Sequence, residues 1–477
     1  MNPIPPISGN EAAIDEARAR SGPYYLPESN VAVGRVRSAF ACALHMHQPL
    51  IPAGGAELSR AKVIGNLEHM MQNIGQGDNH NAPVFLRCYE RMGEIIPELV
   101  DAGCQPRIML DYSGCLLHGL ADMKREDVIA SLRRITTEPK YRSSIEWLGT
   151  AWGHPVAPST PVQDFRLHVM AWQQHFAELF GLEALAKVRG FSLPEMALPN
   201  HPDVCFELVR TLRECGYRWV LVQEHTVELE DGSGVRDPHV PHRLVAQNAA
   251  GEIASITAII KTQGSDTKLV GQMQPCYEAR GLSPRELGGR KIPPLVAQIA
   301  DGENGGVMMN EFPPKYLAVM REVAGQEVTA LNVTEWLESL DALGLTEADY
   351  PPLRPRLQTL LFSRFQPGQG TAHLARVLAD LAAEDARFRM EGGSWTNDIS
   401  WVRGYDHVLG PMESTSALFA QRALAPGIPR EEPRFREALF YLLTSQTSCF
   451  RYWGQGIWTD YGRELCRRTE EILRRDF

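Results

Sequence analysis

Seven short apolar runs constrain this chain more than any other feature: Ser38 to Leu44, Arg107 to Leu110, Ile145 to Gly149, Val188 to Leu193, Arg218 to Val222, Ile253 to Ile260 and Pro294 to Ala300. Each is closed by polar or Gly/Pro residues, and most are separated by helix-like segments. Strands that alternate with helices need crossover connections, and crossovers generate parallel sheets. Seven in succession predict a closed or nearly closed β/α barrel. Polar groups gather just past the runs: His45 and His47, Asp111, His154, Glu195, Gln223 and Glu224, Lys261, and Asp301. In one barrel those ends converge on a single face, where barrel enzymes carry their chemistry.

The rest of the chain divides around that pattern. Pro3, Pro5, Pro6, Gly9, Gly22, Pro23 and Pro27 interrupt any periodicity in residues 1–37, which read as an arm that wraps the next domain. Residues 38–315 carry the barrel. From 316 to 477 the periodicity turns helical, over Val328 to Leu343, Thr371 to Ala386, Arg434 to Leu443 and Tyr461 to Arg475, which predicts a helical domain contributing to the cleft. The expected fold class is therefore α/β, a (β/α)7-type barrel followed by a C-terminal α-helical bundle.

Composition narrows the function classes. The 477 residues are 44% hydrophobic and 22% charged, ample for a large core in two or three domains. A net charge of −10 without a long Lys/Arg block disfavours nucleic acid and suits a neutral substrate. No 18-residue apolar run exists and the N-terminal segment lacks a signal-peptide centre, so no membrane association and a cytoplasmic location are expected. Nine scattered cysteines without C-x-x-C spacing read as buried thiols rather than disulfides or a thiolate zinc site. Nothing in the sequence fixes the oligomeric state.

Six stretches could carry chemistry. In Leu193-Pro194-Glu195 the apolar run halts at a carboxylate fenced by Pro194 and Pro199, which can continue neither a central strand nor a helix interior. Asp301-Gly302-Glu303 places two carboxylates in one tight loop, where like charge or apolar surroundings would raise a pKa enough for a general acid. His45 and His47 share a face by the two-residue period. They read either as neutral donors to sugar hydroxyls or, with Asp111 or His154, as ligands of a divalent ion. Trp152, in a Gly-flanked loop beside His154, offers a platform for the C–H face of a pyranose. The Gly/Trp-rich stretches at 392–401 and 450–456 have the composition of a carbohydrate contact or of a bundle seal.

Taken in series, His47-Gln48-Pro49, Gly153-His154-Pro155, Leu193-Pro194-Glu195, Asp301-Gly302-Glu303 and Trp395 to Asp398 resemble glycoside hydrolase family 57, the α-glucan-active family. The resemblance spans roughly residues 40–460, with Ser192 standing where many members carry a bulky aromatic. It implies Glu195 as nucleophile and Asp301 as general acid/base, with His47, His154, Trp395, Asp398 and Trp453 shaping the sugar sites. It also implies a retaining mechanism without metal or other cofactor, on an α-glucan or maltooligosaccharide. His45, Asp111, Trp152 and Glu303 complete the expected substrate contacts. Hydrolysis, glucan transfer and branching all fit. Two other readings are a metal-dependent carbohydrate deacetylase or glycosidase using His45, His47 and Asp111, and a non-catalytic α-glucan-binding protein.

Overall fold

Each of the seven runs forms a strand: β1 (Ser38–Met46), β2 (Ile108–Tyr112), β3 (Ile145–Gly149), β4 (Gly190–Ser192), β5 (Trp219–Gln223), β6 (Ile253–Lys261) and β7 (Leu295–Asp301). They pair in parallel in the order β7-β1-β2-β3-β4-β5-β6, and Lys261 on β6 pairs with Ala297 on β7, which closes the barrel. The computed structural model describes residues 4–262, 268–303, 307–390, 405–452 and 456–477.

The strands are apolar on both faces because both faces are covered. On β1, Phe40, Cys42 and Leu44 pack outward under the helices, whereas Ala39, Ala41 and Ala43 belong to the interior with Met109, Leu148, Trp219, Leu221, Ile259 and Ile299. The short alanine row leaves room for larger residues across the barrel. Trp219 is one of them, and it presses so closely on β4 that a Cβ at Gly190 would lie 2.1 Å from its ring.

Extending the same inward rows by one step turns them polar. Ala43 leads to His45, Met109 to Asp111, Leu221 to Gln223, Ile259 to Lys261 and Ile299 to Asp301. The register aligns these residues, because His45 pairs with both Asp301 and Asp111, and Lys261 with Gln223. The C-terminal mouth of the barrel is thus a polar ring above an apolar plug.

The opposite mouth is sealed by chain that the sequence assigned to the bundle. The segment read as one helix over Val328 to Leu343 is a strand, Val328–Ala330, pairing in parallel with Ser38 to Phe40, followed by a helix. With α1 given to the long helix Val162–Phe180, this helix is α2 (Val333–Ala342). Its Trp336, Leu337 and Leu340 cap the interior core. Asn332 and Glu335 form a capping box at its N-terminus, and Glu335 also takes two hydrogen bonds from Arg107, at 2.8 and 3.0 Å. Both side chains of this ion pair are 1% exposed. Truncating one member strands the other charge in the core, so Glu335→Ala should destabilise the protein by about 3–5 kcal/mol in urea unfolding.

The N-terminal arm contains a helix, Glu11–Ala19, whose buried Arg18 donates to the carbonyls of Cys215, Leu185 and Gly216 at the base of the barrel. Backbone N–H groups of Tyr24, Tyr25 and Leu26 are held by the Glu338 carboxylate of α2. Helices α3 (Asp406–Phe419), α4 (Pro433–Ser445) and α5 (Ile457–Asp476) pack together. Phe419, Phe435, Leu439, Leu443 and Leu465 share their core with Leu167 and Ala171 of α1. Helix Thr371–Glu384, expected in the bundle, instead forms a separate cluster in which Leu374, Val377 and Leu381 pack with Leu361, Phe365 and Ala249. All nine cysteines are buried free thiols. Among the described residues no helix is long and apolar enough to cross a membrane.

Candidate active site

Glu195 leaves β4 in a sharp turn. It has φ 60° and ψ 13°, and Met196 follows with φ 50°, so two consecutive non-glycine residues occupy the left-handed region. Such strain persists where packing enforces it and concentrates at functional sites. Met196 supplies the packing, because its side chain is 1% exposed among the interior barrel residues. Glu195 is thereby held at the mouth, 9% exposed.

His154 faces it from the loop after β3, also at positive φ (55°), with Nδ1 3.5 Å from Glu195 Oε1. The same nitrogen is 2.9 Å from Ser448 Oγ, and Ser448 N–H donates to the His154 carbonyl at 3.0 Å. The His154 ring stacks on His47, with centroids 4.2 Å apart, and lies 4.7 Å from the His45 ring. Three imidazoles therefore line one wall.

Their charges differ because their partners differ. His45 Nδ1 donates to Asp111 Oδ2 at 2.8 Å. Burial opposes an imidazolium there, but Asp111, Asp301 and Glu303 outweigh it and raise the His45 pKa to about 9. His47 is bonded through Nδ1 to Ser113 Oγ at 2.7 Å and lies 3.3 Å from Thr447 Oγ1 through Nε2. Burial and the neighbouring imidazoles hold His47 and His154 neutral, well below the usual histidine range.

The pH behaviour of His45 follows in sign. A cation whose pKa is raised on folding contributes stability that is complete below its unfolded value, near 6.5, and lost as pH rises through about 9. Asp111→Asn removes the partner. The stability difference between wild type and variant, measured by urea unfolding, should be larger at pH 6 than at pH 9.5.

The carboxylates meet these histidines directly, Glu195 at His154, Asp301 beside His45 and Glu303 at the His47 N–H. Burial and the charge of Asp301 push the Glu195 carboxyl up to about 8, against the pull of His45, Ser448 and Arg451. Burial does the same to Glu303, also raised to about 8, although His45 and the N–H of His47, which donates to Glu303 Oε1 at 2.8 Å, oppose it. Tyr89 Oη donates to the same oxygen at 3.4 Å. Asp301 ends β7 directly beside His45 in the register. Glu195, Asp301, Glu303, His45, His47, His154 and Asp111 are thus brought to one mouth.

Trp152 is not on it. Its ring is 0% exposed and sits between His175 (5.3 Å), His118 (6.0 Å) and Phe440 (6.3 Å), in the seam between barrel and bundle. The glycine-flanked loop that suggested an exposed platform folds inward instead, so Trp152 offers no face to a sugar. Trp395, Asp398 and Trp453 lie outside the described residues.

The site also contains residues that sequence reasoning did not single out, Ser113, which caps helix Gly114–Asp122, and Thr447 and Ser448 from the turn after α4, together with Arg451 of the 450–456 stretch, on the short helix Cys449–Tyr452. Arg451 is 2% exposed, donates to Ser159 Oγ at 2.5 Å and lies within the field of Glu195. The available signal was a run of five uncharged polar residues, Thr444 to Ser448, ending an apolar helix. All five are at most 2% exposed. Among the described residues no group of three or more His, Cys, Asp and Glu side chains is gathered as a set of metal ligands.

Comparison with known sequences bears directly on this mouth, because residues 41–253, from β1 to the first residue of β6, match the profile of Glycosyl hydrolase family 57. Residues 41–253 belong to glycosyl hydrolase family 57. The family 57 segment contains His45, His47, Asp111, His154 and Glu195, whereas Asp301 and the bundle residues lie beyond it. No curated protein matches the chain.

Solved structures extend the fold likeness past that segment. A 4-alpha-glucanotransferase from Thermococcus litoralis aligns with 93% of this chain at 16% identity and a TM-score of 0.56, and this chain spans 60% of its length. A family 57 branching enzyme from Thermococcus kodakaraensis aligns with 92% of this chain and 89% of its own at 13% identity, TM-score 0.54. A branching enzyme of the same type from Pyrococcus horikoshii gives 91% and 88% at 11% identity, TM-score 0.53. At these identities the likeness is one of fold: a seven-stranded parallel barrel with a helical C-terminal part.

Proposed function

We propose that this protein is a retaining α-glucan-active glycosidase or glucanotransferase, with Glu195 as nucleophile and Asp301 as general acid/base. The observation that carries the reading is the convergence of these two carboxyls on one barrel mouth: Glu195 lies 3.5 Å from His154, Asp301 lies beside His45 in the strand register, and the His154 and His45 rings are 4.7 Å apart. Coupled carboxyls titrate as a pair, and the reaction uses the form of the pair that holds one proton. In the productive form that proton is on Asp301. The His45 cation and Arg451, both of which lower the Glu195 pKa, favour that distribution.

The steps then balance. Asp301 gives its proton to the glycosidic oxygen as that C–O bond breaks, and Glu195 attacks the anomeric carbon to form a glycosyl-enzyme. Asp301, now ionised, takes a proton from the acceptor hydroxyl as it displaces Glu195. Water as acceptor gives hydrolysis, and a sugar hydroxyl gives transfer or branching. Neutral His47 and His154 can donate to or accept from sugar hydroxyls without bringing a charge next to the developing oxocarbenium ion.

The test is to incubate the protein with maltooligosaccharides and with amylose, resolving products by size and linkage and following the first-formed anomer by proton NMR. Release of α-anomeric product, or redistribution of chain length, is expected. First-formed β-anomeric product would overturn retention, and activity that disappears with a chelator and returns with a divalent ion would favour the metal-dependent reading.

A further inference from the structure

A buried chain of hydrogen bonds runs behind the site without touching it. The Gly153 N–H donates to His168 Nδ1 at 3.0 Å. That donation fixes Nδ1 as an acceptor, so the proton of the neutral ring is on Nε2, which donates to Gln446 Oε1 at 2.8 Å. Gln446 must then present its amide hydrogens, and Nε2 donates to Asp164 Oδ2 at 2.6 Å. His168 is 0% exposed, as are Gln446 and Asp164. Each member has one possible orientation, set by its neighbour.

The chain joins three separate elements. Asp164 and His168 are i and i+4 on α1, Gln446 follows α4, and Gly153 precedes His154. Space at Gly153 is closed as well, because a Cβ there would lie 2.2 Å from the Leu443 carbonyl oxygen and 2.9 Å from His168 Cε1. Two residues beyond Gln446, Ser448 holds both the carbonyl and the Nδ1 of His154. Thr447 between them bridges to Pro155 and reaches His47. Gln446 therefore grips the left-handed turn from both ends, through His168 onto residue 153 and through its own backbone onto residues 154 and 155.

We infer that Asp164, Gln446 and His168 are positioning residues that set the His154 ring against Glu195, so that the bundle fixes the geometry of chemistry carried out by the barrel. The inference rests on the catalytic reading for its kinetic consequence but not for its structural one. A buried relay with a fixed direction has a diagnostic that simple packing lacks, because donor and acceptor can be exchanged. Gln446→Glu brings two carboxylates together where an amide met one. Asp164→Asn keeps an acceptor for the Gln446 amide and should be silent. Combined, the two substitutions reverse the bond: the new amide at 164 donates to the new carboxylate at 446, which still accepts from His168 Nε2.

The expected result is that Gln446→Glu lowers kcat on a maltooligosaccharide at least tenfold with KM within twofold, while Asp164→Asn and the double variant stay within threefold of wild type. A second readout needs no substrate. The ring ¹⁵N shifts of His154 should move in Gln446→Glu and return in the double variant. A double variant that melts like wild type but recovers neither kcat nor the His154 shifts would overturn the inference, as would Gln446→Glu with unchanged shifts. If no glucan is turned over by wild type but the shifts move and return, the positioning stands and the glycosidase reading falls.

Discussion

Glu195→Gln is expected to lower turnover of α-glucan by at least about a thousandfold, the scale seen when a nucleophile is removed from a group that acts as a unit. The fold should survive. An amide is isosteric with the carboxyl, and its neutrality suits a buried position whose ionisation is already disfavoured, with a pKa pushed up to about 8. A companion variant separates nucleophile from acid. Glu195→Gly removes the side chain at a residue with φ 60°, which glycine adopts without strain. Azide can then enter the vacated space and form the C–N bond while Asp301 protonates the leaving oxygen. Attack from the Glu195 side inverts the anomeric carbon, so an α-linked substrate should give a β-glycosyl azide. An α-glycosyl azide would mean that the two carboxyls have exchanged roles, and near-wild-type activity in Glu195→Gln would remove the nucleophile assignment altogether.

The barrel was legible in the sequence because its strands are buried on both faces. Continuous apolar runs with polar ends mark such strands, and all seven expected runs became the seven barrel strands. The polar mouth was legible for a related reason. Inward residues alternate, so the last member of each row, such as His45 after Ala43 or Asp301 after Ile299, reads as polar just where the run stops. What could not be read were contacts between residues remote in sequence. Ser448 meets His154 and Arg107 meets Glu335 across hundreds of positions, and no local period records either pairing. The return of α2 to the barrel was hidden because its apolar face is equally suited to a bundle. Trp152 was misplaced because the glycine beside it, Gly153, marks close packing against the bundle rather than an open loop: a Cβ there would lie 2.2 Å from the Leu443 carbonyl oxygen.

Asp301→Asn tests the other half of the pair, and its effect should depend on the leaving group. Proton donation matters most when the departing oxygen is a poor leaving group, so turnover of maltooligosaccharides should fall about 10²–10⁴-fold. An aryl α-glucoside with a strongly acidic phenol departs unassisted, and its glycosylation rate should change little. The pH profile sharpens the expectation. In wild type the active form needs Glu195 ionised and Asp301 protonated, which gives a bell. Neutralising position 301 removes the basic limb, because no acid is left to lose its proton. At the acid limb Asp301 is still protonated and uncharged in wild type, so a neutral amide at 301 leaves Glu195 in nearly the same field and that limb should not move to lower pH. The His45 cation, charged up to about pH 9, holds that limb down in both proteins. Rates of the variant measured with the activated substrate from pH 4 to 9 should therefore rise to a plateau and not decline. A basic limb that persists in the variant would mean that Asp301 is not the acid of the pair, and the paired-carboxyl mechanism would lose its physical basis.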